Sequence, residues 1–420
     1  MNAVQHDCEF IRALFVRVRT FTEELARPLT DADATIQSMA DASPAKWHLA
    51  HTTWFFETFI LRAHAPGYRL HQPSWPYLFN SYYEAEGNRL ARPARGMLSR
   101  PTLAEILDYR QAVNAALLEA LPTFSPQVLM LVQLGCHHEQ QHQELLLTDI
   151  LHAFSCNPLE PALWSHDEPQ TPDDPGEETP PIDWISSPGG LVDIGHAPSG
   201  ASKFAFDCEG PRHKTYLEPF RVADRLVTNG EWLEFIADGG YRDPRLWLSD
   251  GWTWVQREAI EAPLYWRQSD NGQWTRFTLA GRRPVEPSQP VTHISLYEAD
   301  AFASWAGARL PTEAEWEISA APFSPERGQA ATGPFTAKDA RGFFGRVWQW
   351  TGSAYRPYPG FRIADGAIGE YNGKFMSGQF VLRGASHATP CGHSRATYRN
   401  FFYPHHRWQF TGLRLARDGA

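Results

Sequence analysis

No hydrophobic core can run through "DEPQTPDDPGEETPP", Asp167 to Pro181, which is acidic, proline-rich and poor in large apolar side chains. A chain containing it must organise separately on its two sides. The length of 420 residues points the same way, since single cores stop growing beyond about 250–300 residues. The expected layout is a helical domain over 1–166, an exposed linker over 167–181 and a second domain over 182–420.

Before the linker the apolar residues recur at three- and four-residue steps. "DCEFIRALFVRVRTFTEEL", "SPAKWHLAHTTWFFETFILRA", "TLAEILDYRQAVNAALLEAL" and "SPQVLMLVQLGCHHEQQHQELLLTDILHAF" predict four long helices in a bundle. Ser43 with Pro44 and Ser125 with Pro126 read as N-caps followed by proline at the first helical position. Between the second and third helices lies "HQPSWPYLFNSYYEAEGNRLARPARGMLSRP", too long for a simple turn, and loops of that length are often functional. Beyond the linker, "WISSPGGLVDIGH", "PVTHISLYEADAFASWAGARLPTEAEWE" and "GRVWQWTGSAY" mix short strands, Gly/Pro turns and isolated helices, without a repeat of fixed period.

Composition excludes several classes of function. No apolar run near the N-terminus approaches the roughly 18 residues needed to span a bilayer, so the chain reads as cytoplasmic and free of the membrane. A formal net charge of −10 argues against a nucleic-acid partner, although the stretch from Arg383 to Arg417 is locally basic and suits a small anion or a solvated surface. Five widely spaced cysteines, Cys8, Cys136, Cys156, Cys208 and Cys391, contain no C-x-x-C pair and form no disulfide framework or zinc ribbon. The 16 Trp and 25 Phe fit either aromatic-lined pockets or a Trp-rich core.

The chemistry concentrates in His138-Glu139-Gln140-Gln141-His142. Residues four apart share a helix face, so His138 and His142 can hold one metal from successive turns, with Gln141 on the same side. Glu144, roughly 240° around from His138, points away. This is the H-E-x-x-H spacing of zinc proteases, in which Glu139 would be the general base. The extended protease pattern fails, because Leu145 stands where glycine is required and Thr148 where histidine is required. One further histidine from the second helix, His48 or His51, would complete a three-nitrogen face with open positions for substrate and oxygen. Taken singly, His48 and His137 read as core or capping residues.

Six segments in order, "SPAKWHLAHTTWFFETF", "YLFNSYYEAEG", "HHEQQHQELLLTDILHA", "RLPTEAEWE", "GRVWQWTGSAY" and "YRNFFYPHHRWQFTGLRLARD", resemble the ergothioneine sulfoxide synthases over essentially the whole chain. The resemblance implies an α+β protein, with an N-terminal DinB-like four-helix bundle and a C-terminal domain like formylglycine-generating enzymes and C-type lectins. It implies a non-haem Fe(II) enzyme whose metal ligands are His51, His138 and His142. In that family iron binds the imidazole of hercynine and a thiolate, activates O₂, and a bond forms from sulfur to imidazole C2 with oxidation to a sulfoxide. Tyr82 and Tyr83 match paired tyrosines of one branch, one as proton donor and the other positioning it, against the plainer reading of an aromatic plug. Gln141, Asn400 and Phe401 match hercynine-contacting positions, with Phe402 and Arg407 extending the wall. "RLPTEAEWE" and "GRVWQWT" mark the lectin-like fold: Thr312 and Glu315 form a capping box, and Trp316, Trp348 and Trp350 are core. The formylglycine-generating reaction, which uses paired reactive cysteines, is not expected from Cys208 and Cys391.

The chain departs from that pattern at Cys208, where the family usually has Asn, and at His387, where it usually has Cys; Cys391 and His405-His406 are also unusual. These changes fall on segments expected near the donor. Cysteine or γ-glutamylcysteine is the first expectation, and a selenosugar, as in the sister selenoneine synthases, the second. Two other classes remain: a zinc protease, and a lectin-like binding module in which His138 and His142 are dispensable. Under the iron reading, Glu139→Ala leaves substantial activity. The oligomeric state is open.

Overall fold

The computed structural model describes residues 3–164, 180–197, 204–325, 341–363, 369 and 372–419. These divide into two compact units, one ending at Trp164 and one holding the described residues from 180 onward. Of the expected linker only Pro180 and Pro181 are described.

The first unit is built on four long helices, α1 (Ala3–Ala26), α2 (Ala45–Phe56), α3 (Leu103–Ala120) and α4 (Pro126–Ser155). α4 packs against both α1 and α2, and α2 packs against α3. Their apolar faces meet in a core that includes Phe15, Val18, Phe56, Tyr109, Val113, Leu117 and Val132. Ser125 caps α4 by accepting from the Val128 N–H, and Thr102 and Glu105 form a capping box on α3. The expected Ser43 cap does not form. Pro44 occupies the cap position of α2, while the Ser43 N–H donates to Asp149 and its hydroxyl accepts from Arg95.

Every residue of α2 is buried, including Lys46, His48, His51, Thr52 and Thr53. A central helix of this polarity requires internal partners, since a buried polar group without one costs about 1–3 kcal/mol. Close approach of α2 and α4 depends on Gly135: a Cβ there would lie 2.6 Å from the Phe56 ring and 3.1 Å from that of Phe55. α2 runs on into a π-helical turn, Glu57–Leu61. Buried Glu57 accepts hydrogen bonds from the hydroxyls of Tyr109 (2.6 Å) and Tyr68 (2.9 Å) and from the His71 N–H (2.7 Å). The long excursion between α2 and α3 is thereby fastened to the bundle.

The second unit carries β1 (Trp184–Ser187), β2 (Gly190–Ile194), β3 (His213–Leu217), β4 (Phe220–Ala223), β5 (Trp266–Gln268), β6 (Trp274–Thr278), β7 (Gly281–Pro284), β8 (Trp348–Ala354), β9 (Phe380–Arg383), β10 (Asn400–Phe402), β11 (Thr411–Leu413) and β12 (Ala416–Asp418). They form sheets of order β1-β4-β12, β10-β9-β8-β11, β2-β3 and β5-β6-β7, with β8 and β11 parallel. "SPGG" is not a hairpin turn. Gly189, at φ +67° and with no room for a Cβ against the Leu217 carbonyl oxygen, passes the chain from one sheet to another. Thr312 and Glu315 form the capping box of the helix Glu313–Ala320. Trp316, Trp348 and Trp350 are buried, and the indole N–H groups of Trp316 and Trp350 donate to Gln349 Oε1 and the Ile294 carbonyl.

Candidate metal centre

His51 of α2 and His138 and His142 of α4 converge, each offering a ligand atom within 4.8 Å of the others; among the described residues it is the one such group of three. The ring centroids are 4.7–5.0 Å apart, and the His138 ring is nearly perpendicular to those of His51 and His142. His51 shows how the site is prepared. Its Nδ1 donates to the Phe79 carbonyl at 2.6 Å, and an imidazole protonated there keeps its lone pair on Nε2. That Nε2 is buried and has no hydrogen-bond partner, as expected of a nitrogen reserved for a ligand. Phe79 belongs to the excursion, so the loop fixes the tautomer. Trp47 stacks on His51 at 4.5 Å, and the Arg95 guanidinium lies 3.4 Å from the centre of the Trp47 ring.

All three imidazoles are held neutral. Burial pushes His138 down to about 3, and burial followed by the neighbouring histidines pushes His51 and His142 well below the ordinary histidine range. Neutral histidines are the form that binds a cation. The donor set fits a metal ion.

Glu139 does not face this site. Its carboxylate accepts from Arg19 Nη1 (2.7 Å), Arg110 Nη2 (2.8 Å) and the Thr22 hydroxyl (2.6 Å), all fully buried. Burial alone would raise its pKa, but the two guanidiniums and the hydroxyl hold it at about 2. Arg19 also donates to Thr53, and Arg110 to Thr52, Thr53 and the Leu49 carbonyl, so the network grips α2 on both sides of His51. A carboxylate so occupied cannot serve as a protease base.

Tyr82 and Tyr83 stack on one another at 4.8 Å. Tyr83 is buried among Phe59 (4.9 Å) and Trp54 (5.6 Å), and Trp54 in turn stacks on His51 at 5.5 Å. The pair stands one aromatic layer from the triad. Asn80 shapes the turn, donating to the Tyr83 carbonyl and accepting from the Tyr83 N–H. Gln141 is partly exposed on α4.

In the second unit Asn400, Phe401 and Phe402 lie on β10, paired with β9. Asn400 is in a strand rather than closing a turn. Phe401 stacks on Tyr355 at 4.2 Å, and Cys208 is buried beside Tyr355, its thiol pushed up to about 12 by burial and then by Glu209. Such a thiol is not a ready nucleophile. His387 Nδ1 donates to the Arg346 carbonyl and its ring packs on Phe410. Arg407 donates to the Ala262 carbonyl and to buried Glu298, which gives its guanidinium a structural commitment inside this unit.

His48, read singly as a core or capping residue, and Asp149, which no sequence motif singled out, matter here. His48 reaches His142, and Asp149, two helical turns after His142, reaches His48. The i, i+3 spacing of His48 and His51 and the i, i+7 spacing of His142 and Asp149 were the available signals.

Residues 14–146 match the DinB superfamily, and residues 171–332 and 333–419 match the sulfatase-modifying factor enzyme 1-like domain. The chain is 32% identical to a hercynine oxygenase of Mycolicibacterium thermoresistibile, covering 94% of this chain and 95% of that one. It is 31% identical to a hercynine oxygenase of Mycobacterium tuberculosis, covering 92% and 94%. It is also 26% identical to a formylglycine-generating enzyme of Streptomyces coelicolor, over 56% of this chain and 88% of that one.

Proposed function

Given that this chain belongs to the hercynine oxygenase family and is an oxidoreductase, we propose that His51, His138 and His142 hold Fe(II) for the O₂-dependent joining of a sulfur donor to C2 of the hercynine imidazole. The observation that carries this reading is the convergence of three neutral imidazoles with the His51 Nε2 unpartnered. Three neutral nitrogens would hold iron without cancelling its charge, and would leave room for substrate and oxygen beside it.

The chain's own side chains do the rest. The Phe79 carbonyl and Trp47 hold His51 in its ligating orientation. Gln141, on the helix of His138 and His142, offers an amide oxygen to the substrate. In the second unit, taken by itself, Asn400, Phe401 and Phe402 are the candidates for a trimethylammonium, a cation that donates no hydrogen bond and favours aromatic faces. One of Tyr82 and Tyr83 delivers a proton to oxygen while the other orients it. The burial of Tyr83 beside Trp54 and Phe59 supports this, since a packed phenol is held in one place. Cysteine or γ-glutamylcysteine is the first donor to test. A selenosugar is the second, suggested by Cys208 and His387 at positions where the family usually has Asn and Cys. The substrates are small molecules, and no helix among the described residues is long and apolar enough to cross a membrane.

The test is anaerobic loading with Fe(II), addition of hercynine and one donor, admission of air and mass spectrometry of the product. A sulfoxide from a thiol supports the reading, product from the selenosugar alone moves the donor to selenium, and absence of both iron binding and product removes it.

A further inference from the structure

His48 Nδ1 lies 2.8 Å from His142 Nδ1, and His48 Nε2 lies 3.1 Å from Asp149 Oδ2. Asp149 Oδ2 also accepts the backbone N–H of Ser43 at 2.8 Å, just before the helix that bears His48. His48 and Asp149 are both buried. Seven residues separate His142 from Asp149, close to two full turns, so both project from one face of α4 toward α2.

The protons in this chain can be placed. A carboxylate only accepts, so the His48 nitrogen facing Asp149 carries hydrogen. A neutral His48 then has its lone pair on Nδ1. Two nitrogens at 2.8 Å need a single hydrogen between them, and it must sit on His142 Nδ1. That leaves His142 with its lone pair on Nε2, the same tautomer that the Phe79 carbonyl imposes on His51. The opposite tautomer would present an N–H to the cation and could not ligate.

We propose that His48 is a positioning residue for the metal centre: backed by Asp149, it fixes the tautomer and orientation of His142 and strengthens that imidazole as a donor. The inference rests on the metal-site reading above. Partners of this kind behind a ligating histidine are worth about 10–100-fold in metal affinity. The competing explanation is packing, since the His48 ring also fills space against Trp47 and His142 at 5.8 and 5.1 Å.

The experiment is anaerobic titration of the full chain with Co(II), read by its visible d–d bands, and with Fe(II), alongside thermal melts. The variants are His142→Ala, His48→Phe, His48→Gln and Asp149→Asn. His142→Ala is expected to lose the bands. His48→Phe is expected to bind 10–100-fold more weakly with shifted bands, while His48→Gln, whose amide oxygen can accept from His142 Nδ1, recovers most of the affinity. Asp149→Asn can turn its amide N–H toward His48, reverse both tautomers and weaken binding like His48→Phe. Wild-type affinity in His48→Phe or Asp149→Asn, with His142→Ala inactive in binding, overturns the positioning role and leaves the centre intact. Equal losses in His48→Phe and His48→Gln assign His48 to packing and also overturn it. Full binding by His142→Ala removes the metal reading itself. Should His48→Phe not fold, Asp149→Asn and His48→Gln decide.

Discussion

Replacing Glu139 with alanine tests whether this glutamate is a catalytic base or a buried counter-ion. The variant strips the carboxylate from Arg19 and Arg110, whose side chains are 2% and 0% exposed, and removes acceptors at 2.7, 2.8 and 2.6 Å. Breaking one partner out of a buried ion network costs about 3–5 kcal/mol, because the remaining charges lie in a medium that cannot solvate them. Against a typical stability of about 5–15 kcal/mol the loss is large. For a unit of this size it corresponds to a fall of roughly 6–20 °C in melting temperature. The sequence-based expectation that Glu139→Ala keeps substantial activity therefore applies to the folded fraction, and activity should fall only as that fraction falls. Circular dichroism melts and iron content measured together on Glu139→Ala, Glu139→Gln and the apolar triple Arg19→Met/Arg110→Met/Glu139→Leu provide the assay. The triple variant should recover much of the loss, since a well-packed apolar replacement of a buried ion network is often neutral or stabilising. An unchanged melt and iron content in Glu139→Ala with abolished turnover would refute this reasoning and return Glu139 to the chemistry.

His51→Ala should lose bound Fe(II) and turnover together, and retention of both would dissolve the triad as a centre. Tyr82→Phe and Tyr83→Phe should keep their iron, with the donor's variant losing about 10²–10⁴-fold in turnover; small, equal losses would make the pair an aromatic plug. Gly135→Ala should destabilise by about 1–3 kcal/mol, because its Cβ would meet the buried Phe56 ring at 2.6 Å and separate the two histidine-bearing helices; a raised melting temperature would show that the helix preference for alanine prevails. In the second unit, burial opposes ionisation of Glu209, but Arg395 and Thr397 hold its pKa below the ordinary value. A carboxylate depressed on folding stabilises fully above its unfolded pKa, near 4.3, and that contribution disappears as pH falls through the lower folded pKa. Glu209→Gln should flatten this acid limb in urea denaturation, and an unchanged limb would place the effect elsewhere.

Much of the architecture follows from local rules that act on neighbouring residues. The four helices follow from three- and four-residue apolar spacing, the α4 start from Ser125-Pro126, the capping box from Thr312 and Glu315, and the pairing of His138 with His142 from the geometry of one helical turn. Those features depend on separations within a single element. What joins distant segments was not legible: that Pro44 rather than Ser43 occupies the α2 cap position, that "SPGG" joins two sheets, and that Arg407 is committed to Glu298. His48 looked like a core histidine because Asp149 and His142 lie about a hundred residues away and only the packing of α2 on α4 makes them its partners. Glu139 shows the division most clearly. The sequence sets it beside a histidine ligand, at a protease base's spacing, but side-chain direction on a helix changes by about 100° per residue. Only the packing of α1 and α3, which bring Arg19 and Arg110 to its carboxylate, turned it from a candidate base into the counter-ion of a buried arginine pair.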